Sequence, residues 1–140
     1  MILVDSNVLI YAFSPDSPFH AWSRRTLAEA AARSEAFVNA VILAELCVGD
    51  SDPKSVLDRV RSWGVERLDL PAAAAPICAS AFRSYLLRRE DEGRGVAVRI
   101  PLPDFFIGSH AQLLGCKIAT ADLSRYQTYF PKVNLLSPWS

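Results

Sequence analysis

Four carboxylates lie in apolar stretches of the sequence, where a solvent-exposed charge is not expected: Asp5, Glu45, Asp104 and Asp122. An isolated charge in such surroundings is poorly hydrated and costs free energy unless it is paired or bound to a metal ion. Oxygen ligands of this kind suit Mg²⁺ or Mn²⁺ rather than zinc or copper. If the four side chains converge, they predict a divalent-cation site.

Three of these acids also have a purely structural explanation. Asp5 and Asp122 can each cap the turn that follows them, and Asp104 can occupy the first turn of a helix, where the dipole favours it. Glu45 has no capping role, because it falls in the middle of an apolar helical segment. No Lys or Arg lies within four positions of Asp5, Glu45 or Asp104, so any neutralising partner must come from elsewhere in the chain.

Short apolar runs alternate along the chain with segments of helical pattern. Strands are predicted at residues 2–4, 36–40, 65–70, 117–122 and 133–136, and helices at 8–13, 19–33, 41–48, 51–63, 71–89 and 104–114. Residues 90–95 are predicted to form an exposed loop, and the prolines after residue 100 end any strand around 96–100. This alternation predicts a doubly wound α/β sheet, in which ligands bind at the carboxyl ends of the strands.

The length and the charge balance of the chain limit the number of domains and the classes of function to be considered. The 140 residues predict a single domain, 1–140, and 15 basic residues balance 15 acidic ones. This balance argues against a strongly basic nucleic-acid-binding surface, although not against a nucleic acid held through metal ions. Cys47, Cys78 and Cys116 lack the spacing of a zinc site and predict reduced thiols in a cytoplasmic protein. The sequence predicts neither a signal peptide nor a membrane span.

Several other conspicuous residues are predicted to be structural. His110 comes six positions after Asp104, about 240° around a helix, so the two should not face one site. His20 is likewise predicted to be structural. The large aromatic residues are predicted to lie in the core or an interface; they are Trp22, Trp63, Phe105, Phe106, Tyr126, Tyr129 and Phe130. A set of arginines is predicted to form a solvated charged face, with RNA phosphate contacts as the alternative: Arg83, Arg88, Arg89, Arg94 and Arg99.

The sequence around the four acids resembles PIN-domain ribonucleases, in particular the toxins of VapC-type toxin–antitoxin pairs. The resemblance rests on four short segments in the family's order, 2–10 (ILVDSNVLI), 41–46 (VILAEL), 102–111 (LPDFFIGSHA) and 118–122 (IATAD). It implies a three-layer fold with a five-stranded parallel sheet in order 3-2-1-4-5 and helices on both faces.

The resemblance also implies the chemistry. Asp5, Glu45, Asp104 and Asp122 would be the catalytic acids and the ligands of Mg²⁺ or Mn²⁺, with Ser6, Asn7 and Thr120 in support. The implied reaction is hydrolysis of an RNA phosphodiester bond, with one ion or two. A cognate antitoxin and a second copy of the chain are the implied protein partners.

Two other functions remain open at this stage. A phosphatase could use Asp5 as a covalent nucleophile, but Asn7 stands where haloacid-dehalogenase-like phosphatases have a second Asp. The second is a non-catalytic module that keeps the PIN fold and binds RNA or protein. The presence of all four acids disfavours this alternative. No GxGxxG motif follows the first strand, so a dinucleotide-binding domain is not indicated.

Overall fold

The computed structural model describes residues 1–94 and 100–139. Five strands lie in these ranges: β1 (Ile2–Val4), β2 (Ala36–Val38), β3 (Glu66–Arg67), β4 (Lys117–Ala119) and β5 (Leu135–Leu136). They form one parallel sheet in the order β3-β2-β1-β4-β5. The predicted α/β class and the strand order implied by the resemblance are both confirmed, although each strand after β1 is shorter than predicted.

Helices flank this sheet. In the described ranges they are α1 (Ser6–Ala12), α2 (His20–Ala32), α3 (Ala40–Val48), α4 (Val56–Ser62), α5 (Ala74–Asp91), α6 (Pro103–Leu114) and α7 (Ser124–Tyr129), with a 3₁₀ turn at Pro53–Ser55. The prediction of a loop from residue 90 was wrong at its start, because α5 continues to Asp91. Most of the strand suggested around 96–100 lies outside the described residues. None of the helices in the described ranges has the length and apolar character needed to cross a membrane.

The register of the two central strands brings polar residues together. Val4 of β1 pairs with Ala119 of β4, and the ladder continues with a 2.9 Å hydrogen bond from the Asp5 amide to the Ala119 carbonyl. Asp5 and Thr120 therefore emerge side by side at the carboxyl edge of the sheet. Apart from the exposed Lys117 at the start of β4, both strands are apolar and buried, as expected for central parallel strands.

The start of α3 is fixed by a buried polar pair. The Asn39 side-chain oxygen accepts a 3.0 Å hydrogen bond from the Ile42 amide, which caps the helix. The Asn39 amide nitrogen lies 3.0 Å from Nδ1 of His110 and can only donate, so Nδ1 accepts and the imidazole is neutral. Burial lowers the pKa of His110 in the same direction. The predicted structural role of this histidine is confirmed.

Replacing Gly108 with alanine is expected to destabilise the protein by about 2 kcal/mol, since an added methyl group would overpack the core. A Cβ at Gly108 would overlap with the ring of Phe130, which is itself buried. Chemical denaturation measures the effect. Gly49→Ala is the matched control, because in the described part of the chain no atom beyond its sequence neighbours lies within 4 Å of its added Cβ. Equal stability of both variants would contradict the prediction.

Candidate active site

Asp5 is the central acid of the site and lies at the junction of β1 and α1. Its side chain is nearly inaccessible, with 3% of the residue exposed. Oδ1 accepts a 2.8 Å hydrogen bond from the Ser6 amide, so Asp5 does cap α1. Oδ2 accepts hydrogen bonds of 3.0 Å from both the Thr120 and Tyr126 hydroxyls. The capping role and the central position in the cluster therefore belong to one side chain.

Asn7 connects the start of α1 to the segment after β4. Its amide nitrogen donates to the Thr120 hydroxyl at 3.2 Å, and its oxygen accepts from the Ala121 amide at 3.0 Å. The same nitrogen lies 3.5 Å from Oδ2 of Asp5. These bonds hold the Asp5 and Thr120 side chains in register, although their residues are far apart in sequence.

Glu45 approaches the cluster from α3. Within the described part of the chain, its Oε1 atom is buried and has no hydrogen-bond partner. Burial, followed by the charges of Asp5 and Asp104, raises the pKa of Glu45 to about 7, against a smaller opposing effect of a Ser6 hydrogen bond. An unpartnered buried carboxylate oxygen is costly, so this atom is suited to bind a cation or a hydrogen-bond donor.

Asp104 lies in the first turn of α6, directly after Pro103. Burial raises its pKa and the charge of Asp122 adds to this effect, while Arg125 opposes it. The Nη1 atom of Arg125 lies 3.2 Å from Oδ2, and the Tyr126 hydroxyl lies 3.5 Å from Oδ1. Arg125 therefore holds one oxygen of Asp104, and the Tyr126 hydroxyl, whose shorter hydrogen bond goes to Asp5, lies close to the other.

Asp122 is the most exposed of the four acids and lies at the rim of the cluster. Its Oδ1 accepts hydrogen bonds from the amide and hydroxyl of Ser124, at 3.2 and 2.9 Å. This is the turn-capping role that the sequence suggested. Its charge nevertheless raises the pKa of Asp104, so Asp122 also acts electrostatically on the cluster.

The charges of this cluster are mutually unfavourable. Burial and then the charge of Asp104 raise the pKa of Asp5 to about 6, despite the hydrogen bonds from Thr120, Tyr126 and Ser6. A donor set made of oxygens alone, with an unpartnered oxygen on Glu45, fits a hard divalent cation. Within residues 1–94 and 100–139, however, no three candidate ligands are already gathered around one metal position. The side chains would have to close around an ion.

Two residues of the cluster were not identified from the sequence. Tyr126 is buried, as predicted for a core aromatic, but its hydroxyl reaches two of the acids. Arg125 supplies the tertiary ion pair of Asp104, from 21 positions away. The sequence did offer one indication of their role. Arg125 and Tyr126 come three and four residues after Asp122, in a helix that begins close to the carboxyl end of β4.

Tyr126→Phe is expected to raise the pKa of Asp5 further, because the phenol hydrogen bond stabilises the ionised carboxylate. The ring and its packing are retained, so the fold should persist with a loss of about 1 kcal/mol. Carboxyl ¹³C titration by NMR in the metal-free protein measures the shift. Tyr11→Phe is the control, as no side-chain hydrogen bond joins Tyr11 to the acids in the described residues. A pKa of Asp5 that falls or stays unchanged would contradict the expectation.

Two of the arginines near the end of α5 pair with the same local acid. Arg88 lies 3.2 Å and Arg94 lies 2.8 Å from the carboxylate oxygens of Glu92. For these two residues the predicted mixed, solvated charged face is confirmed. Arg99 lies outside the described residues.

Comparison with known proteins agrees with this fold. The sequence profile described as PIN domain matches residues 2–131. A search of curated proteins finds no match. Among solved structures, the DNA-bound VapBC complex from Salmonella typhimurium aligns with a TM-score of 0.66 and 23% identity over 97% of this chain and 96% of that chain. FitAcB from Neisseria gonorrhoeae aligns with a TM-score of 0.63 and 24% identity over 99% of both chains.

A third structure, a toxin–antitoxin complex from Klebsiella pneumoniae, aligns with a TM-score of 0.65 and 19% identity over 99% of this chain and 98% of that chain. These identities establish similarity of fold. The profile match spans nearly all of the sequence and includes the four acids of the cluster. The chain belongs to the PIN domain family.

Proposed function

We propose that this protein is an Mg²⁺- or Mn²⁺-dependent endoribonuclease and the toxin of a VapC-type toxin–antitoxin pair. The observation that carries the proposal is the buried, mutually repelling cluster around Asp5, with an unpartnered oxygen on Glu45. It lies at the carboxyl edge of a PIN-domain sheet, where open α/β sheets place their ligands.

The proposed ligands are Asp5, Glu45, Asp104 and Asp122, and the cluster is compatible with one ion or two. The chemistry that such an ion supplies is polarisation of a phosphodiester and a lowered pKa for the attacking water. Ser6, Asn7 and Thr120 would not react. Their hydrogen bonds fix the rotamer of Asp5, directly or through one another, so that its carboxylate is already oriented when the substrate arrives.

The geometry disfavours the phosphatase alternative. Haloacid-dehalogenase-like phosphatases have a second Asp at the position of Asn7. The Asn7 side chain instead donates to the Thr120 hydroxyl and accepts from the Ala121 amide, so no second carboxylate stands there beside Asp5. The non-catalytic alternative gives no reason for the raised pKa values of Asp5, Glu45 and Asp104, because a simple binding module does not require them.

We further propose that an antitoxin covers the apolar surface next to Glu45. A cavity of about 490 Å³ opens there between α1, α3 and α4, and its lining includes Ile10, Leu46 and Trp63. The ring of Phe13 stacks on the ring of Trp63, with the centroids 4.1 Å apart, although about half of Phe13 is exposed to solvent. Solved structures of similar fold are toxin–antitoxin complexes, which supports a partner of this kind. A homodimer in the cytoplasm is the proposed state.

The decisive experiment measures cleavage of RNA by protein that has been stripped of metal with EDTA. We expect no cleavage until Mg²⁺ or Mn²⁺ is restored. A single-stranded DNA of the same sequence and Ca²⁺ in place of Mn²⁺ serve as controls. Cleavage that persists in EDTA would refute the proposed function.

A further inference from the structure

We propose that Arg125 binds a phosphate of the RNA, and that Asp104 holds it in place until a divalent ion takes that carboxylate. This inference rests on the proposed ribonuclease function and deepens it. It assigns to Arg125 a role in substrate binding that none of the four acids can perform, because RNA phosphates carry negative charge.

Arg125 is positioned directly at the acidic cluster. Its Nη1 atom lies 3.2 Å from Oδ2 of Asp104, and 40% of its side chain is exposed, compared with 22% for Asp104. The guanidinium therefore has one side on the carboxylate and another open to solvent. Of the five N–H groups of the guanidinium, one donates to Asp104 and another is engaged by the Tyr85 side chain, which leaves further donors for an anion.

An aromatic surface supports the guanidinium from a third direction. Its central carbon lies 5.7 Å from the centroid of the Tyr85 ring. Tyr85 packs in turn on Phe105 and Tyr129, with ring centroids 5.2 and 5.7 Å apart. Stacking of this kind does not depend on Asp104. When the carboxylate turns towards an ion, Arg125 can therefore remain beside the cluster.

The charge pattern distinguishes this arginine from the others. Other ion pairs recorded in the described ranges join Arg59 to Asp50, and Arg88 and Arg94 to Glu92. Within those ranges, the pair of Arg125 is the one that reaches a site acid. A guanidinium can also bind a phosphate through two parallel hydrogen bonds, which a site made of carboxylates cannot do.

Arg125 and a divalent ion would compete for the carboxylate of Asp104. A divalent ion bound by Asp104 would break the ion pair and repel the guanidinium, because both are cations, while the Tyr85 ring would still keep Arg125 beside the cluster. A phosphate between the two would be attracted by both. Loss of the arginine should therefore have effects of opposite sign, tightening the binding of the ion and weakening the binding of RNA. A residue with a merely structural role would weaken both.

The test compares Arg125→Gln and Arg125→Lys with the wild type and with Arg33→Gln. Arg33 is the matched control, because it lines a pocket with Ile2 and Lys117 at the opposite, amino edge of the sheet. Isothermal titration of metal-free protein with MnCl₂ measures ion affinity. Fluorescence anisotropy of mixed-sequence 20-nucleotide RNA measures RNA affinity, with Ca²⁺ replacing Mn²⁺ to prevent turnover.

For Arg125→Gln we expect Mn²⁺ to bind at least about threefold more tightly and RNA about tenfold more weakly, the range for one lost charged contact. The slope of log affinity against log salt should become shallower by about 0.7, as for one lost phosphate contact on a single strand. Arg125→Lys keeps the charge and should fall between glutamine and wild type. Arg33→Gln should change neither affinity.

Unchanged or weaker Mn²⁺ binding by Arg125→Gln would overturn the proposal, as would RNA binding equal to that of the wild type. Melting curves without metal establish that each variant is folded, and Arg125→Lys carries the test if glutamine is not tolerated. Failure of the proposed function gives a different result. In that case the wild-type protein itself neither binds nor cleaves RNA, and the phosphate contact of Arg125 is refuted with it.

Discussion

Asp5→Asn is expected to reduce Mn²⁺-dependent RNA cleavage at least about a thousandfold. Asp5 is the central acid of the cluster, and an amide cannot supply the negative charge that a divalent ion requires. Loss of about 4 kcal/mol of transition-state stabilisation corresponds to this factor, and a metal ion contributes several kcal/mol in such sites. Initial rates of cleavage at saturating Mn²⁺ measure the effect.

The variant should remain folded, which makes the loss of activity interpretable. An asparagine oxygen can still accept from the Ser6 amide, which caps α1. The Tyr126 hydroxyl, which donates to Oδ2 in the wild type, can rotate to accept a hydrogen bond from the asparagine amide. The Thr120 hydroxyl already accepts from Asn7 and from the Asp122 amide, but it can turn its proton to the Asp122 carbonyl, 3.2 Å away. Helical and near-ultraviolet circular dichroism should therefore match those of the wild type.

Asp16→Asn is the control, an exposed acid in the turn between α1 and α2 that should leave activity unchanged. Asp5→Asn protein that still cleaves RNA within tenfold of the wild-type rate would contradict the assignment of Asp5. Cleavage lost equally in both variants would point to a general loss of structure and would also contradict the prediction.

The metal-free protein is expected to lose stability as the pH rises from about 4 to about 7, because Asp5 and Glu45 titrate in this window and the raised pKa of Asp104 acts in the same direction. The pKa of Asp5 is raised from 3.8 to about 6, and that of Glu45 from 4.5 to about 7. A group whose pKa is higher in the folded state binds its proton more tightly there. Its contribution to stability is complete below the unfolded pKa and is lost as the pH passes the folded pKa.

For Asp5 the shift corresponds to about 3 kcal/mol, since one pKa unit is about 1.4 kcal/mol. Glu45 is only partly buried, so its shift adds less to the stability than its size suggests. A divalent ion replaces the protons as the neutralising charge and is most effective when they have dissociated. Saturating Mn²⁺ should therefore raise the melting temperature by roughly 10 °C at pH 8 and by much less at pH 5.

Melting curves across pH, with and without Mn²⁺, test this expectation. His110 opposes the trend at low pH, because burial lowers its pKa and its protonation destabilises the fold as the pH falls. Comparison with Asp5→Asn separates the two effects, since His110 is unchanged in that variant. Its metal-free stability should depend less on pH, and it should respond less to Mn²⁺. A wild-type stability that rises from pH 5 to pH 8 without metal would contradict the assignment.

The fold was predictable because its signals are local. Apolar strands such as Ile2–Val4 alternate with helical segments, and Gly115 ends α6 in the left-handed conformation that glycine adopts most easily. Strand ends were less predictable. Only Glu66–Arg67 of the alternating segment 65–70 pairs as a strand, because hydrogen bonds to a neighbour, and not the pattern of one segment, determine where an edge strand ends.

The sequence by itself determined the four acids, since each stands among apolar neighbours where an unpaired charge is costly. Tertiary structure alone decided how they are held. It brought Thr120 and Tyr126 onto Asp5 from more than 110 positions away, and Arg125 onto Asp104. Such contacts depend on strand register and on the packing of α7 against α6, which no local pattern encodes. The positions of the acids can be read from the sequence. The contacts that orient them, from the Arg125 guanidinium and from the hydroxyls of Thr120 and Tyr126, arise only in the folded chain.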